Sequence, residues 1–113
     1  MSEPHLVFHP AVGEDLESIL AYYAERDPAL YAERDPALPS RFRARLKEQA
    51  DRLLMFPESG TILFESYRRV LLKRFPYMVV YLVSEERIHL LALVSVRRDP
   101  AWIEETVAGR TGE

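Results

Sequence analysis

The stretch Arg68–Pro100, RRVLLKRFPYMVVYLVSEERIHLLALVSVRRDP, decides the fold. It contains three runs, Arg69–Phe75, Tyr77–Val83 and Ile88–Val96, rich in β-branched, aromatic and leucine residues. Such residues pack well on a pleated surface, so each run reads as a strand. The breaks between them are Phe75-Pro76-Tyr77 and Ser84-Glu85-Glu86-Arg87. Connections this short join antiparallel neighbours, because a parallel crossover needs a dozen or more residues. The middle run, YMVVYLV, is apolar at nearly every position. That predicts an inner strand covered on both faces. Parallel strands are not expected, nor is Tyr77–Val83 at an outer edge.

Upstream of this stretch the chain turns helical. His5–His9 is a short apolar run that reads as a first strand, ended by Pro10. Gly13–Arg26 follows, with Leu16, Ile19, Leu20 and Tyr23 at helical spacing as a buried stripe. Glu14, Asp15 and Glu17 fall near its start, where the helix dipole favours negative charge. Arg41–Phe56 reads as a second long helix with Phe42, Leu46, Leu53 and either Gln49 or Ala50 on its buried face. Its basic residues lie mostly on the solvated side, and Pro57 and Gly60 stop it. Downstream, Asp99-Pro100 begins a short helix or tail in which Trp102 and Ile103 are expected to anchor on the core. The order is β-α-α-β-β-β with a C-terminal appendage. The expected class is α+β: a small, twisted, mainly antiparallel sheet with the helix hairpin on one face.

Between the two helices the octapeptide YAERDPAL occurs twice in tandem, at Tyr23–Leu30 and Tyr31–Leu38. Each Asp-Pro could start a helix, with Asp as N-cap and Pro at the first position. Eight extra residues inside a continuous helix would rotate everything after them by about 80° and swing Phe42 and Leu46 off the core. A connection absorbs the same insertion cheaply, since loop-closure entropy grows slowly with length. The spare copy is therefore expected at the helix–helix junction, with both helices keeping their facing.

At 113 residues, 48% hydrophobic and 29% charged, the chain reads as one folded domain spanning 1–113. It has no cysteine, so disulfides and thiolate metal sites are excluded. The start, MSEPHLVFHP, has no basic region leading into an apolar stretch, and the longest apolar runs fall far short of the roughly 20 residues of a membrane helix. The expectation is a soluble, cytoplasmic protein. A formal net charge of -3 argues mildly against a nonspecific nucleic-acid binder. Basic residues are nonetheless concentrated, with Arg68, Arg69, Lys73 and Arg74 in one stretch and Arg97 and Arg98 in another. On strand periodicity, Arg69 and Lys73 are expected to share a face and Arg74 to point to the other. The three histidines are scattered and no carboxylates have ligand spacing, so neither a metal nor a cofactor is expected.

Taken in order, FHP-x-x-x-x-DL from Phe8, YY-x-ER-x-P from Tyr22, RF-x-x-x-L from Arg41, FPESG from Phe56, RRVLLKRFPYMVVY from Arg68, LLALVSVRRDP from Leu90, and Trp102 resemble the RelE/ParE family of toxins. The resemblance covers roughly Val7 to Trp102. The doubled YAERDPAL departs from it, since relatives would carry one copy. It implies the toxin of a type II toxin–antitoxin pair, bound by a cognate antitoxin in a hetero-oligomer and arresting growth when free. The implied target is DNA gyrase in one branch and mRNA on the ribosome in the other. Arg68, Arg69, Lys73, Arg74, Arg97 and Arg98 then become the candidate target- or antitoxin-binding residues. Arg69, Lys73 and Arg97 would be the catalytic set of a nuclease. RNA cleavage also needs a proton acceptor and donor, and arginine is a poor base because it stays protonated. Where many relatives carry histidine, just before the paired arginines, this chain has Ser95. His89 lies at the other end of its strand, and His5 and His9 sit on the first strand. The reading leans to the gyrase-poisoning ParE branch, ahead of a RelE-like nuclease and of an inactivated antitoxin-binding module.

Overall fold

The computed structural model describes residues 4–26 and 37–112. The elements are β1 (His5–Phe8), α1 (Pro10–Arg26), α2 (Leu38–Met55), β2 (Thr61–Phe64), β3 (Tyr67–Leu71), β4 (Tyr77–Ser84), β5 (Arg87–Ser95) and α3 (Pro100–Thr111). They form the expected α+β domain around one five-stranded sheet, in the order β1-β5-β4-β3-β2. Three of its four pairings are antiparallel, and β4 is inside the sheet.

Several details correct the expectations. β1 pairs with β5 in parallel, His5 opposite Arg87 through Phe8 opposite Leu90. Short connections force antiparallel pairing only within 61–95. β1 and β5 are separated by most of the chain, which leaves room for a parallel crossover. β2 was not anticipated, being only four residues between Gly60 and the Glu65-Ser66 turn. β3 begins earlier and ends at Leu71, so Lys73 and Arg74 lie in a turn instead of a strand, with Arg74 at φ 70°. That turn is closed by Leu72 N–H donating to Tyr77 C=O at 2.9 Å. Pro10 does not merely end β1; it opens α1, where His9 Nδ1 accepts from Ala11 N–H at 3.0 Å.

Both faces of the sheet are covered. Tyr77, Val79 and Tyr81 of β4 pack against Ile19 and Leu20 of α1 and Phe42, Ala50 and Leu53 of α2. Met78 and Val80 pack with Ile103 and Val107 of α3 on the opposite face. The near-continuous apolar run of β4 follows from this three-layer arrangement. β5 adds a bulge. The register passes from Val80 opposite Ala92 to Tyr81 opposite Leu90, leaving Leu91 extra. One extra residue reverses the side-chain alternation. Ile88, Leu90 and Leu93 therefore all meet the helix hairpin, while Leu91, Ala92 and Val94 meet α3.

The repeat's residues 27–36, and with them the placement of the spare copy, lie outside the described residues. The flanking helices do face the core through Ile19, Leu20, Phe42 and Leu53. α2 is capped by Ala37, without a side-chain cap bond, so neither Asp-Pro of the repeat is its cap. Asp99-Pro100 does behave as expected, Asp99 accepting from Ala101 N–H at 3.0 Å to start α3.

The FPESG segment after α2 is pinned by two side chains from the strands. Tyr81 is fully buried; its hydroxyl donates to Pro57 C=O at 2.8 Å and accepts from Gly60 N–H at 2.9 Å. Arg68 donates to the carbonyls of Glu58 at 3.1 Å and Gly60 at 2.8 Å. Gly60 is needed for this close approach, because a Cβ there would lie 2.5 Å from the Tyr81 hydroxyl and 2.6 Å from the Arg69 carbonyl. Gly60→Ala should lower unfolding stability by about 1–3 kcal/mol through overpacking. Tyr81→Phe should cost about as much by orphaning a buried backbone N–H and a partly buried C=O. Urea titrations of the two variants check both values.

Candidate functional site: a basic pole and its groove

Antiparallel pairing decides which basic residues meet. Leu71 lies opposite Met78, and Tyr77 opposite Ser95. The β3–β4 turn and the end of β5 therefore occupy the same end of the sheet, joined by Val96 N–H donating to Pro76 C=O at 3.1 Å. Lys73, Arg74, Arg97 and Arg98, all exposed, gather there. The turns at the other end carry Glu65, Glu85 and Glu86. A net charge of -3 is thus compatible with a basic cluster at one end of the sheet.

Arg68 and Arg69 do not join the basic pole. They sit on β3 and point to opposite faces, Arg68 opposite Tyr81 and Arg69 opposite Val80. Arg68 is committed to the FPESG segment, and Arg69 reaches Met78 Sδ at 3.8 Å. The expected sharing of a strand face by Arg69 and Lys73 fails because Lys73 has left the strand. Arg69, Lys73 and Arg97 are spread over one strand and two separate turns.

Beside the basic pole a groove runs between α1 and α3 along the last residues of β5. Tyr22, Tyr23, Tyr77, Ser95, Arg98 and Trp102 are among its lining residues. The Arg98 guanidinium lies over the Trp102 ring, 3.9 Å from its centroid, and Arg26 stands 5.5 Å from that of Tyr22. Trp102 is 37% exposed, so the expected anchoring falls to Ile103, with Val107 beside it. The groove offers guanidinium donors set against exposed aromatic faces, an arrangement suited to carboxylate- or phosphate-bearing ligands.

The inner end of the groove is closed by a pair that sequence reasoning missed. The Asp15 carboxylate accepts from Arg110 at 2.7 and 3.0 Å and from the Leu93 backbone N–H at 3.0 Å. Arg110 also donates to Leu91 C=O at 2.8 Å. Their side chains are only 17% and 15% exposed. Asp15 was expected to serve the helix dipole, but α1 starts at Pro10 and Asp15 lies beyond its first turn. No local pattern connects two positions 95 residues apart.

Two tyrosines of the groove hold their protons more tightly than a free phenol does. Burial pushes the hydroxyl pKa of both Tyr23 and Tyr77 up, that of Tyr77 to about 12, with the neighbouring Tyr23 adding to the effect on Tyr77. The two rings meet edge to face at 6.3 Å. His89 lies across from Val7 and Leu82, toward the start of β5 and away from the basic pole. Among the described residues, no group of three or more His, Asp or Glu side chains could hold a metal ion. No described helix is long and apolar enough to cross a membrane.

Residues 6–100 match the family model described as the ParE toxin of the type II toxin–antitoxin system parDE. The chain belongs to the ParE toxin family. The curated relatives include Toxin ParE2 of two Mycobacterium tuberculosis strains, CDC 1551 / Oshkosh and H37Rv, each 28% identical over 105 residues and 93% of both chains. A solved structure described as the chromosomal ParDE TA system from P. aeruginosa shares the fold, with TM-score 0.65 and 18% identity, over 82% of this chain and 96% of that one. The ParE fold thus sets the frame in which the basic pole and its groove are built.

The raised tyrosines predict an alkaline transition in this ParE-family chain. A group whose folded pKa lies above its unfolded value contributes stability that is present below the unfolded pKa, about 10 for tyrosine, and is lost as pH rises toward the folded one. Displacement of Tyr77 from 10 to about 12 corresponds to roughly 3 kcal/mol. Stability should fall between pH 10 and 12, and Tyr77→Phe should flatten that fall. Denaturation midpoints measured at pH 9, 10.5 and 12 test it.

Proposed function

We propose that this toxin arrests growth by poisoning DNA gyrase in the cytoplasm, and that a cognate antitoxin holds it inactive in a hetero-oligomeric complex. Membership of the ParE family supports the toxin–antitoxin pairing. The observation that carries the choice of target is the chemistry of the groove. Guanidinium and aromatic groups equip it to bind, while its tyrosines have raised pKa values and Ser95 replaces the histidine a nuclease would use. An RNA-cleaving site needs a group that exchanges protons near neutral pH, and arginines hold theirs. The acidic side chains of the antitoxin would meet the basic pole, with Lys73, Arg74, Arg97 and Arg98 as the charged contacts.

Two assays on the purified toxin test this. Incubation with gyrase and supercoiled plasmid should yield linear DNA that appears only after detergent and protease treatment, the mark of a covalent gyrase–DNA intermediate. Primer extension on translated mRNA should reveal no new ends. New mRNA ends with intact plasmid would overturn the gyrase reading in favour of ribosome-dependent cleavage. Neither effect would overturn toxicity itself and leave an antitoxin-binding module.

A further inference from the structure

β1 accompanies β5 only as far as Phe8 opposite Leu90. His9 N–H makes one further bond, to Leu90 C=O at 2.9 Å, and Pro10 then turns the chain into α1. β5 continues to Ser95, so its last residues have β4 on one side and no strand on the other. We propose that this vacated lane along β5 receives an extended, acidic segment of the antitoxin. The proposal rests on the antitoxin reading given above and assigns it a place.

The direction of the backbone groups supports it. In an antiparallel pair, alternate residues direct their N–H and C=O toward the partner strand. Val96 N–H donates to Pro76, on the β4 side. Leu93 and Ser95 therefore turn their backbone groups outward, and Leu93 N–H does meet Asp15 there. Ser95 C=O accepts from Arg98 N–H at 3.1 Å in the following turn. Leu93 C=O and Ser95 N–H then face the groove between α1 and α3. The Asp15–Arg110 pair closes the inner end, so the lane admits a short segment that enters from the basic pole.

Charge and shape select the occupant. Arg97 is exposed at the mouth. The Arg98 guanidinium lies over Trp102 and is exposed, so its N–H groups can meet a carboxylate. The nearby acids have other duties, Asp15 with Arg110 and Asp99 at the start of α3. Tyr22 and Trp102, 50% and 37% exposed, form the walls. Along an extended segment, side chains alternate between such walls while the main chain pairs with the edge. None of the usual guards of an open edge, lysine, proline or an inward charge, occupies 93–95.

The test is amide hydrogen exchange on the toxin alone and on the complex obtained by co-expression with its antitoxin. The Ser95 amide should exchange rapidly in the free toxin and at least about tenfold more slowly in the complex. The double variant Arg97→Glu/Arg98→Glu should weaken the complex by about tenfold or more at low salt, with a smaller effect at high salt. Lys47→Glu, on the outer side of α2, should leave affinity unchanged. A complex that forms without protecting Ser95 would overturn the placement while leaving the antitoxin reading intact. Failure of toxin and antitoxin to associate at all would overturn both.

Discussion

The three layers of this protein depend on how β5 is held at the edge where β1 stops. A strand that loses its neighbour mid-length exposes backbone donors and acceptors, and burying them without partners costs free energy. Asp15 from α1 takes the Leu93 N–H, Arg110 from α3 takes the Leu91 C=O, and the two side chains bond each other. One ion pair therefore takes up two of the backbone groups that β1 leaves behind and ties the helices on opposite faces to the same strand. The Leu91 bulge falls within this region. It lets β5 supply large apolar side chains to both cores, and its carbonyl is the one Arg110 secures. Such a pair is only partly exposed, and removing one partner from a buried pair costs about 3–5 kcal/mol. Against a total stability of about 5–15 kcal/mol, that is a large share.

The same geometry explains how structure and function divide the chain. The clamp forms the closed end of the groove, and the basic pole forms its open end. The proposed binding surface would thereby lie on the rim of a sheet, with Trp102 and Tyr22 on helices either side. A chain of net charge -3 thus presents a cluster of positive charge at one end of its sheet.

Much of this could be read from the residues. The unbroken apolar run of Tyr77–Val83 revealed an inner strand with two covered faces, and the 3.6-residue spacing of Leu16, Ile19, Leu20 and Tyr23 revealed the helix that covers one of them. Lys73, Arg74, Arg97 and Arg98 stand out as basic in the sequence, but their meeting at one pole depends on strand register. Strand alternation ends at Leu71, where the turn begins, so Lys73 does not share a face with Arg69. β2 is too short for a periodic signal, and the parallel partner of β1 is set by a contact across most of the chain. Trp102 looked like an anchor by composition. Its exposure follows from the facing of α3, which the buried Ile103 and Val107 decide. The Asp15–Arg110 pair left no trace in local pattern.

A double-mutant cycle on Asp15→Asn and Arg110→Met tests the role of the clamp most directly. Unfolding free energies of the wild type, the two single variants and the double variant give the coupling between the side chains. The account predicts that each single change costs about 3 kcal/mol. The double variant should be little worse than either, for a coupling of about 2 kcal/mol or more. Additive losses, with coupling below about 0.5 kcal/mol, would contradict the claim that this pair holds the two helical layers to β5.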